Sequence, residues 1–342
     1  MKAFGFFQNL PIDHPDALQT VTLPEPELRD HDLLVEVRAV SVNPVDTKVR
    51  KGGDVPTDGA PRILGWDAAG VVVATGSAAS RFKVGDRVWY AGDITRPGCN
   101  SDLHAVDERI VGPMPDSLGF AEAASLPLTT ITAWELLFDR LRIHEADPTE
   151  HQVLLVIGAA GGVGSILTQL ARRLTGVTIV GTASRERSRE WVLDHGAHHV
   201  IDHSQPWMPQ LAALGLDYAT HVVGLNNSAS YVKQIAEVLR PEGQFALIDD
   251  PVGLDISPFK GKSISIHWEL MYTRPIYTTA TISRQHALLR RVAGLVDKGD
   301  IRHTLTHRID GIDAANLIAA HALVEAGDMI GKVVLVKADQ PA

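Results

Sequence analysis

Two hydrophobic rhythms divide this chain. Up to about residue 126 the apolar positions come in short runs: Leu33-Leu-Val-Glu-Val-Arg-Ala-Val40 alternates in part, and Gly70-Val-Val-Val-Ala74 and Arg87-Val-Trp-Tyr90 are brief. Pro, Gly and Asp punctuate the intervals, a spacing that predicts an antiparallel, barrel-like unit. Beyond residue 126 strand and helix patterns alternate, over 153–157, 163–174, 178–183, 186–195, 199–201, 206–214, 219–223, 228–239 and 244–248. That alternation predicts a doubly wound parallel α/β sheet. Ser263-Ile-Ser-Ile-His-Trp268 reads as a sixth strand, expected at a sheet edge. An amphipathic helix over 283–298, the strand Leu305-Thr-His-Arg-Ile309, a helix over 313–326 and the strand Lys332-Val-Val-Leu-Val-Lys337 follow, the last positioned to return to the first unit. The expected organisation is therefore residues 1–126 with 276–342 as one domain and 127–275 as a nucleotide-binding domain.

The junction of strand and helix at Val153-Leu-Leu-Val-Ile-Gly-Ala-Ala-Gly-Gly-Val-Gly164 carries the strongest chemical signal. An apolar strand runs into glycines at 158, 161 and 164 and opens a helix whose stripe is Ile166, Leu167, Leu170, Ala171 and Leu174. Backbone amides and a helix N-terminus so exposed are suited to a diphosphate. Gly158 and Gly161 allow a tight turn and close approach, and Gly164 allows helix and strand to pack. Gly158, Ala160, Gly161, Gly162, Val163 and Gly164 are thus the expected dinucleotide turn. The next strand, Thr178-Ile-Val-Gly-Thr-Ala183, ends in Ser184 and Arg185 instead of the acidic residue that usually binds the ribose hydroxyls of NAD about 20 residues past the glycines. A hydroxyl and a guanidinium bind a 2′-phosphate through charge-assisted hydrogen bonds, so the expected cofactor is NADP(H). Glu186 stands beside them, and the competing role for these arginines is a solvated helix start.

Composition narrows the class. The 342 residues are 45% hydrophobic and 21% charged with net charge −9, which suits a two-domain soluble enzyme and argues against a nucleic-acid or anionic-membrane partner. Cys99 is the one cysteine, so no intramolecular disulfide can form. Met1-Lys-Ala-Phe-Gly-Phe-Phe-Gln-Asn-Leu10 has no apolar leader core, and the expected location is the cytoplasm.

Several motifs stand in family order: Ser41-Val-Asn-Pro-Val-Asp46, Gly65-Trp-Asp-Ala-Ala-Gly70, Val84-Gly-Asp-Arg-Val88, Leu126-Pro-Leu-Thr-Thr-Ile-Thr-Ala-Trp134, Gly158 to Gly164, Leu247-Ile-Asp-Asp250 and Gly331-Lys-Val-Val-Leu335. Together they resemble, over essentially the whole chain, the medium-chain dehydrogenase/reductase superfamily and its zinc-free quinone oxidoreductase branch, often labelled zinc-type alcohol dehydrogenase-like. The resemblance implies a GroES-like, partly open β-barrel catalytic domain built from both chain ends, a Rossmann domain between them and an active cleft where they meet. It also implies where metal would be held. Zinc-dependent relatives carry Cys at the position of Asn43 and His-Glu at Trp66-Asp67, with a four-cysteine lobe after Val88; here that lobe region holds only Cys99. Catalytic zinc needs three Cys, His or carboxylate ligands and structural zinc four, so no metal is expected. An unusual set from Asp46, Asp67, Cys99 and His104 is the disfavoured alternative.

Without a Lewis acid, oxidation of a saturated alcohol loses its alkoxide stabiliser, whereas a quinone or enone spreads the incoming charge itself. The protein's task is then to place the reacting carbons about 3–3.5 Å apart and to offer hydrogen-bond donors to the developing oxyanion. Carried over from the resemblance, Asn43 is a donor to substrate oxygen or a turn cap before Pro44, Asp46 and Lys48 line the site or serve structure, and Thr132, with Thr129 second, contacts the nicotinamide or caps a helix. Val223, Gly224, Leu225, Ile248, Asp249 and Asp250 follow strand ends and are expected along the ribose and nicotinamide. Lys332 either reaches a phosphate or is a plain surface lysine, the latter preferred. His195, His198, His199 and His203 are expected to be structural or solvated, and His267 is a site residue only if its strand faces the substrate. That strand is expected to pair with its twin in a homodimer, with Trp268, Met271 and Tyr272 at the interface or a pocket wall. Three functions stay open: an NADPH-dependent reductase of quinones or α,β-unsaturated carbonyls, which leads; an aldehyde or alcohol oxidoreductase; and an NADPH-binding sensor or structural protein with little turnover.

Overall fold

A computed structural model describes residues 1–143 and 151–337. The last residues of the expected catalytic domain, 338–342, lie outside the described residues. The chain forms two compact units, Met1–Ile131 with the chain from Tyr272 onward, and Thr132–Met271.

The first unit is built on a seven-stranded sheet. Its order is Leu305–Asp310, Lys332–Val336, Asp32–Ser41, Ala68–Thr75, Arg87–Tyr90 and Val111–Pro113, with Leu103–Asp107 also paired to Asp32–Ser41. Pairing is antiparallel except between Leu305–Asp310 and Lys332–Val336, which run parallel. A second sheet joins Gln19–Thr22, Lys2–Phe6 and Arg62–Ile63. Inward positions of the long strand, Leu33, Val35 and Val37, are essentially sealed from solvent, as are Trp66, Trp89 and Tyr90; each such side chain contributes about 1.5–3 kcal/mol of transfer free energy. One register places the site. Val334 opposes Ser41 and Leu335 opposes Val40, so the antiparallel pair, followed two residues further, brings Lys332 opposite Asn43.

The second unit is a six-stranded, wholly parallel sheet in the order His199–Ile201, Thr178–Thr182, Val153–Ile157, Ala219–Gly224, Leu239–Leu247, Ser265–Trp268. Strand order reverses beside Val153–Ile157, so the loops after that strand and after Ala219–Gly224 open side by side, the place where such sheets take ligands. Both faces are covered. Leu155, Ile157, Val180, Val222, Phe245 and Leu247 pack with Trp207 and Ile235 in one cluster. Helix Gly162–Leu174 buries Ile166, Leu167, Leu170 and Ala171, the stripe its periodicity announces. The fifth strand starts earlier than its pattern suggested, at Leu239, across a register shift between Ala219 and His221. The sixth starts later, at Ser265, after a 3-10 turn over Ser257–Lys262 that ends with Ser263 in the left-handed region, φ 52°. It occupies the sheet edge, as expected, and Trp268 is 55% exposed there.

Gly164 shows how tightly helix and strand meet. A Cβ at this position would lie 2.5 Å from the Cα and the carbonyl oxygen of Ala159. Gly164→Ala should therefore lower unfolding stability by about 1–3 kcal/mol, the usual cost of overpacking. In urea titrations the midpoint falls with an unchanged slope, and an unshifted midpoint would show that the turn relaxes.

Candidate functional site

The glycine turn of the second unit presents its backbone outward. Gly158 has φ +76° and donates its N–H to Thr182 Oγ1 at 3.3 Å, while Gly161 donates to the Gly158 carbonyl at 3.1 Å. Helix Gly162–Leu174 begins immediately, with Gly161 at its cap and no side chain bonding to its first amides. Those amides keep both their hydrogen-bonding capacity and the positive end of the helix dipole. Ala160, Gly161, Gly162 and Val163 are half-buried. Ser165, one turn in, is turned away: its hydroxyl donates to Gly161 O at 2.7 Å and accepts Trp191 Nε1 at 2.8 Å.

Beyond strand Thr178–Thr182, Ser184 and Arg185 are exposed, and Arg185 stands at the cap of helix Glu186–Asp194. Arg189 is different, donating to the carbonyls of Ala183 and Val200 at 3.2 and 3.1 Å, so it ties two strand ends together. Val223 and Gly224 are buried in the fourth strand, and Leu225 donates its N–H to Ile157 O at 3.3 Å, which joins the two switch-point loops. Asp249 is half-buried and spends its carboxylate on the next helix, accepting Ser228 N at 2.8 Å and Ser228 Oγ at 2.6 Å. Ile248 is half-buried beside it and Asp250 is exposed.

The first unit holds a closed polar centre. Asn43, Asp46, Asp67 and Lys332 are all buried, Asp46 and Asp67 fully. Lys332 Nζ donates to Asp67 Oδ2 at 3.1 Å, to the Val42 carbonyl at 3.2 Å and to Asn43 Oδ1. Asn43 Nδ2 donates to Asp67 Oδ2 at 3.1 Å and to Ser41 O at 3.4 Å. The other Asp67 oxygen accepts Leu128 N at 2.9 Å, capping the first turn of helix Pro127–Trp134. Asp46 sits at the third position of helix Pro44–Gly52 and reaches back to accept Asn43 N at 2.8 Å, and its second oxygen accepts Gly65 N at 2.9 Å. Thr129 Oγ1 donates to Leu126 O at 3.0 Å, a helix-start contact.

One ammonium thus serves two buried carboxylates, and burial disfavours every charge in the centre. Burial pushes Asp46 up to about 7, against the Asn43 N–H, the Lys332 charge and the Gly65 N–H. Burial also raises Asp67 and lowers Lys332. Asp67 touches the ammonium directly and gains two further donors, which work against that rise.

Several expectations change here. Lys332 is not a surface lysine: its three ammonium hydrogens meet three buried oxygens. Asn43 directs both amide hydrogens at Asp67 and Ser41, which commits the donor that the resemblance offered to a substrate. His104 bonds Tyr90 OH at 3.1 Å and Pro97 O at 3.0 Å, and burial lowers its pKa to about 4. Cys99 donates its thiol to the Asp67 carbonyl at 3.6 Å, and burial raises its pKa. Trp66 offers no lone pair. Among the described residues no three His, Cys, Asp or Glu side chains are grouped to hold a metal ion, and the oxygen-and-amide set around Nζ lacks the nitrogen and sulfur ligands of zinc. Of the histidine cluster, His198 bonds Arg172 and accepts Ile179 N at 3.0 Å, and His195 stacks on Trp191 at 3.9 Å, both structural uses. Thr132 is buried on helix Pro127–Trp134. Sequence reasoning named Asp67 only in a disfavoured metal set and Tyr272 only at an interface or pocket wall. An aspartate flanked by Trp, Ala and Gly, and a lysine opening an apolar strand, form the pattern that could have found the buried pair. Tyr272 is buried, meets Trp66 edge-on with centroids 6.3 Å apart, and its hydroxyl finds no partner among the described residues.

Comparison with known proteins shows the family. Residues 29–133 match the alcohol dehydrogenase GroES-like domain and residues 195–335 the zinc-binding dehydrogenase family. A zinc-type alcohol dehydrogenase-like protein of Staphylococcus epidermidis is 35% identical over 98% of this chain and 99% of its own. The chain belongs to the medium-chain dehydrogenase/reductase superfamily. A crystal structure of a putative zinc-dependent alcohol dehydrogenase protein from Rhizobium etli is similar at TM-score 0.96 and 50% identity, covering 99% of each chain. Mouse quinone oxidoreductase is 34% identical over 60% of this chain and 59% of its own, and tomato 2-methylene-furan-3-one reductase 36% identical over 60% and 53%. The membership makes the protein an oxidoreductase with a pyridine-nucleotide fold.

The raised pKa of Asp46 has a measurable sign. Folding raises Asp46 from its ordinary 3.8 to about 7, so its contribution to stability is complete below pH about 4 and lost as pH rises through 7. The stability of the wild type relative to Asp46→Asn should fall steadily across that window in urea titrations. A difference independent of pH would take the proton off Asp46.

Proposed function

We propose that this protein is an NADPH-dependent oxidoreductase that transfers hydride to a quinone or an α,β-unsaturated carbonyl without a metal ion. The observation that carries the metal-independent half is the saturated centre around Lys332, in which every donor and acceptor of Asn43 and Asp67 is matched by protein. A carbonyl with no conjugation needs more help in taking up charge than a quinone or enone does, and the committed donors around Lys332 offer it no metal ligands. The printed names of the mouse and tomato relatives support the same substrate class.

The glycine turn and the uncapped helix start would hold the diphosphate, and exposed Ser184 and Arg185 the 2′-phosphate. Leu225, Ile248 and Asp250, which follow strand ends, would line the ribose, and Thr132 is the proposed nicotinamide contact. When bound, the reduced nicotinamide supplies the hydride. With Asn43 committed, the Tyr272 hydroxyl is a buried donor without a partner among the described residues and serves the developing oxyanion; burial first, then the neighbouring Asp46 and Asp67, raises its pKa. We place the protein in the cytoplasm, as a homodimer joined along the exposed edge strand Ser265–Trp268.

Four acceptors, a quinone, a linear enone, an aldehyde and an alcohol with NADP+, assayed with and without chelator, separate the readings. Quinone- or enone-dependent loss of NADPH absorbance that ignores chelator is expected. Activity confined to aldehyde or alcohol and abolished by chelator would replace the proposal with a metal-dependent dehydrogenase, and silence in every assay with a low Kd for NADPH would leave a binding protein. Arg185→Ala should weaken NADPH roughly tenfold or more while sparing NADH, the loss of one charged hydrogen-bond partner. Tyr272→Phe should lower kcat by about 100-fold, the usual cost of one oxyanion donor. Its unfolding midpoint should not fall, because the lost hydroxyl has no partner; a normal kcat removes Tyr272 from the chemistry.

A further inference from the structure

We infer that Lys332 is the positioning residue of the first unit: a resident cation in an oxygen cage that orients Asn43 and holds Asp67 on the start of helix Pro127–Trp134. It rests on the metal-independent half of the proposed function and adds how the centre is held without an ion. The three oxygens around Nζ come from three chemically different sources, the Asp67 carboxylate, the Asn43 side-chain amide and the Val42 carbonyl. Carboxylate, amide and main-chain oxygen form the set that hard cations select. Lysine can be delivered to it because Lys332 begins a strand paired antiparallel with Asp32–Ser41, and Nζ then reaches across the pair to residues just beyond that strand's end.

The consequences run outward from Asp67. With Lys332 and Asn43 Nδ2 on one oxygen, the other is fixed toward Leu128 N, so the ammonium controls the helix cap through one rigid carboxylate. A buried pair of this kind contributes less to net stability than to uniqueness, and removing one member is costly because the other charge is stranded. The titratable groups facing Lys332 are Asp67 and Asp46, and the Cys99 thiol and Tyr272 phenol nearby stay protonated through burial. Truncating the lysine therefore leaves two carboxylates and no cation, and the folded protein becomes selectively intolerant of high pH.

The test uses Lys332→Ala, Lys332→Met and the double variant Lys332→Met with Asp67→Asn, measured by urea unfolding at pH 6 and pH 8 and by hydrogen exchange at the Leu128 amide. Lys332→Ala should lose more at pH 8 than at pH 6, and exchange at Leu128 should accelerate roughly tenfold or more as the cap loosens. Propylammonium chloride should raise the Lys332→Ala midpoint and slow that exchange, relative to the same concentration of tetramethylammonium chloride, while leaving the wild type unchanged. If Lys332→Ala does not fold, the double variant, with both charges removed together, should fold and recover most of the loss seen in Lys332→Met. Equal losses at both pH values, no response to the primary amine, or a double variant no better than Lys332→Met would each overturn the assignment. None of these readouts depends on turnover, so an inactive wild type would refute the proposed reaction and leave this inference standing.

Discussion

The contact on which the barrel unit's interior turns is the ion pair between Lys332 and Asp67. Two segments far apart in sequence, the turn after strand Asp32–Ser41 and the strand Lys332–Val336, are brought together by backbone pairing, yet backbone pairing alone does not place a side chain. The ammonium does that. It locks the Asn43 amide in one orientation, and Asn43 in turn closes the second hydrogen bond to Asp67. Breaking a buried pair strands a charge, at a cost of about 3–5 kcal/mol, so alternative arrangements of these strands are penalised more heavily than the net value of the pair suggests. Apolar residues of the same volume would pack as densely but would tolerate more than one arrangement.

The nucleotide unit follows the opposite logic. Its core is apolar and sealed on both faces, and the polar groups that matter are left unsatisfied at its rim. The start of helix Gly162–Leu174 has no capping side chain, which would be worth about 1 kcal/mol of stability, and its first amides face the proposed diphosphate site. The neighbouring switch-point helix, Ser228–Val238, is capped by Asp249 through two hydrogen bonds. Two helices in one sheet thus differ in whether their N-termini are spent on the fold.

Much of this was legible in the sequence because it is local. Strand and helix periods identified the elements of the parallel sheet to within a few residues, except where Leu239–Leu247 begins inside a helix-like pattern. The glycine spacing located the open helix start. What escaped was long-range and polar. Lys332 heads an apolar strand, and its reach to Asn43 follows from a register between residues nearly three hundred positions apart, which no window along the chain contains. Asn43 was read as a substrate donor or a turn cap, yet its role depends on which of its amide hydrogens are already used, and that is decided by Asp67 and Ser41. Asp249 was read as a ribose neighbour because it follows a strand end, but its carboxylate is claimed by Ser228.

Several relatives carry zinc in their names. In this chain Asn43 and Trp66 offer an amide and an indole, neither of them a zinc ligand, and Asp67 a carboxylate. A buried Asp67 with no cation beside it would be a stranded anion, so the site requires one. Lysine meets that requirement better than arginine at this position, because a compact ammonium with three donors matches three converging oxygens, whereas a planar guanidinium pairs best with two parallel ones. The acid and the base at opposite ends of the chain are therefore one feature, and neither is intelligible from its own neighbourhood.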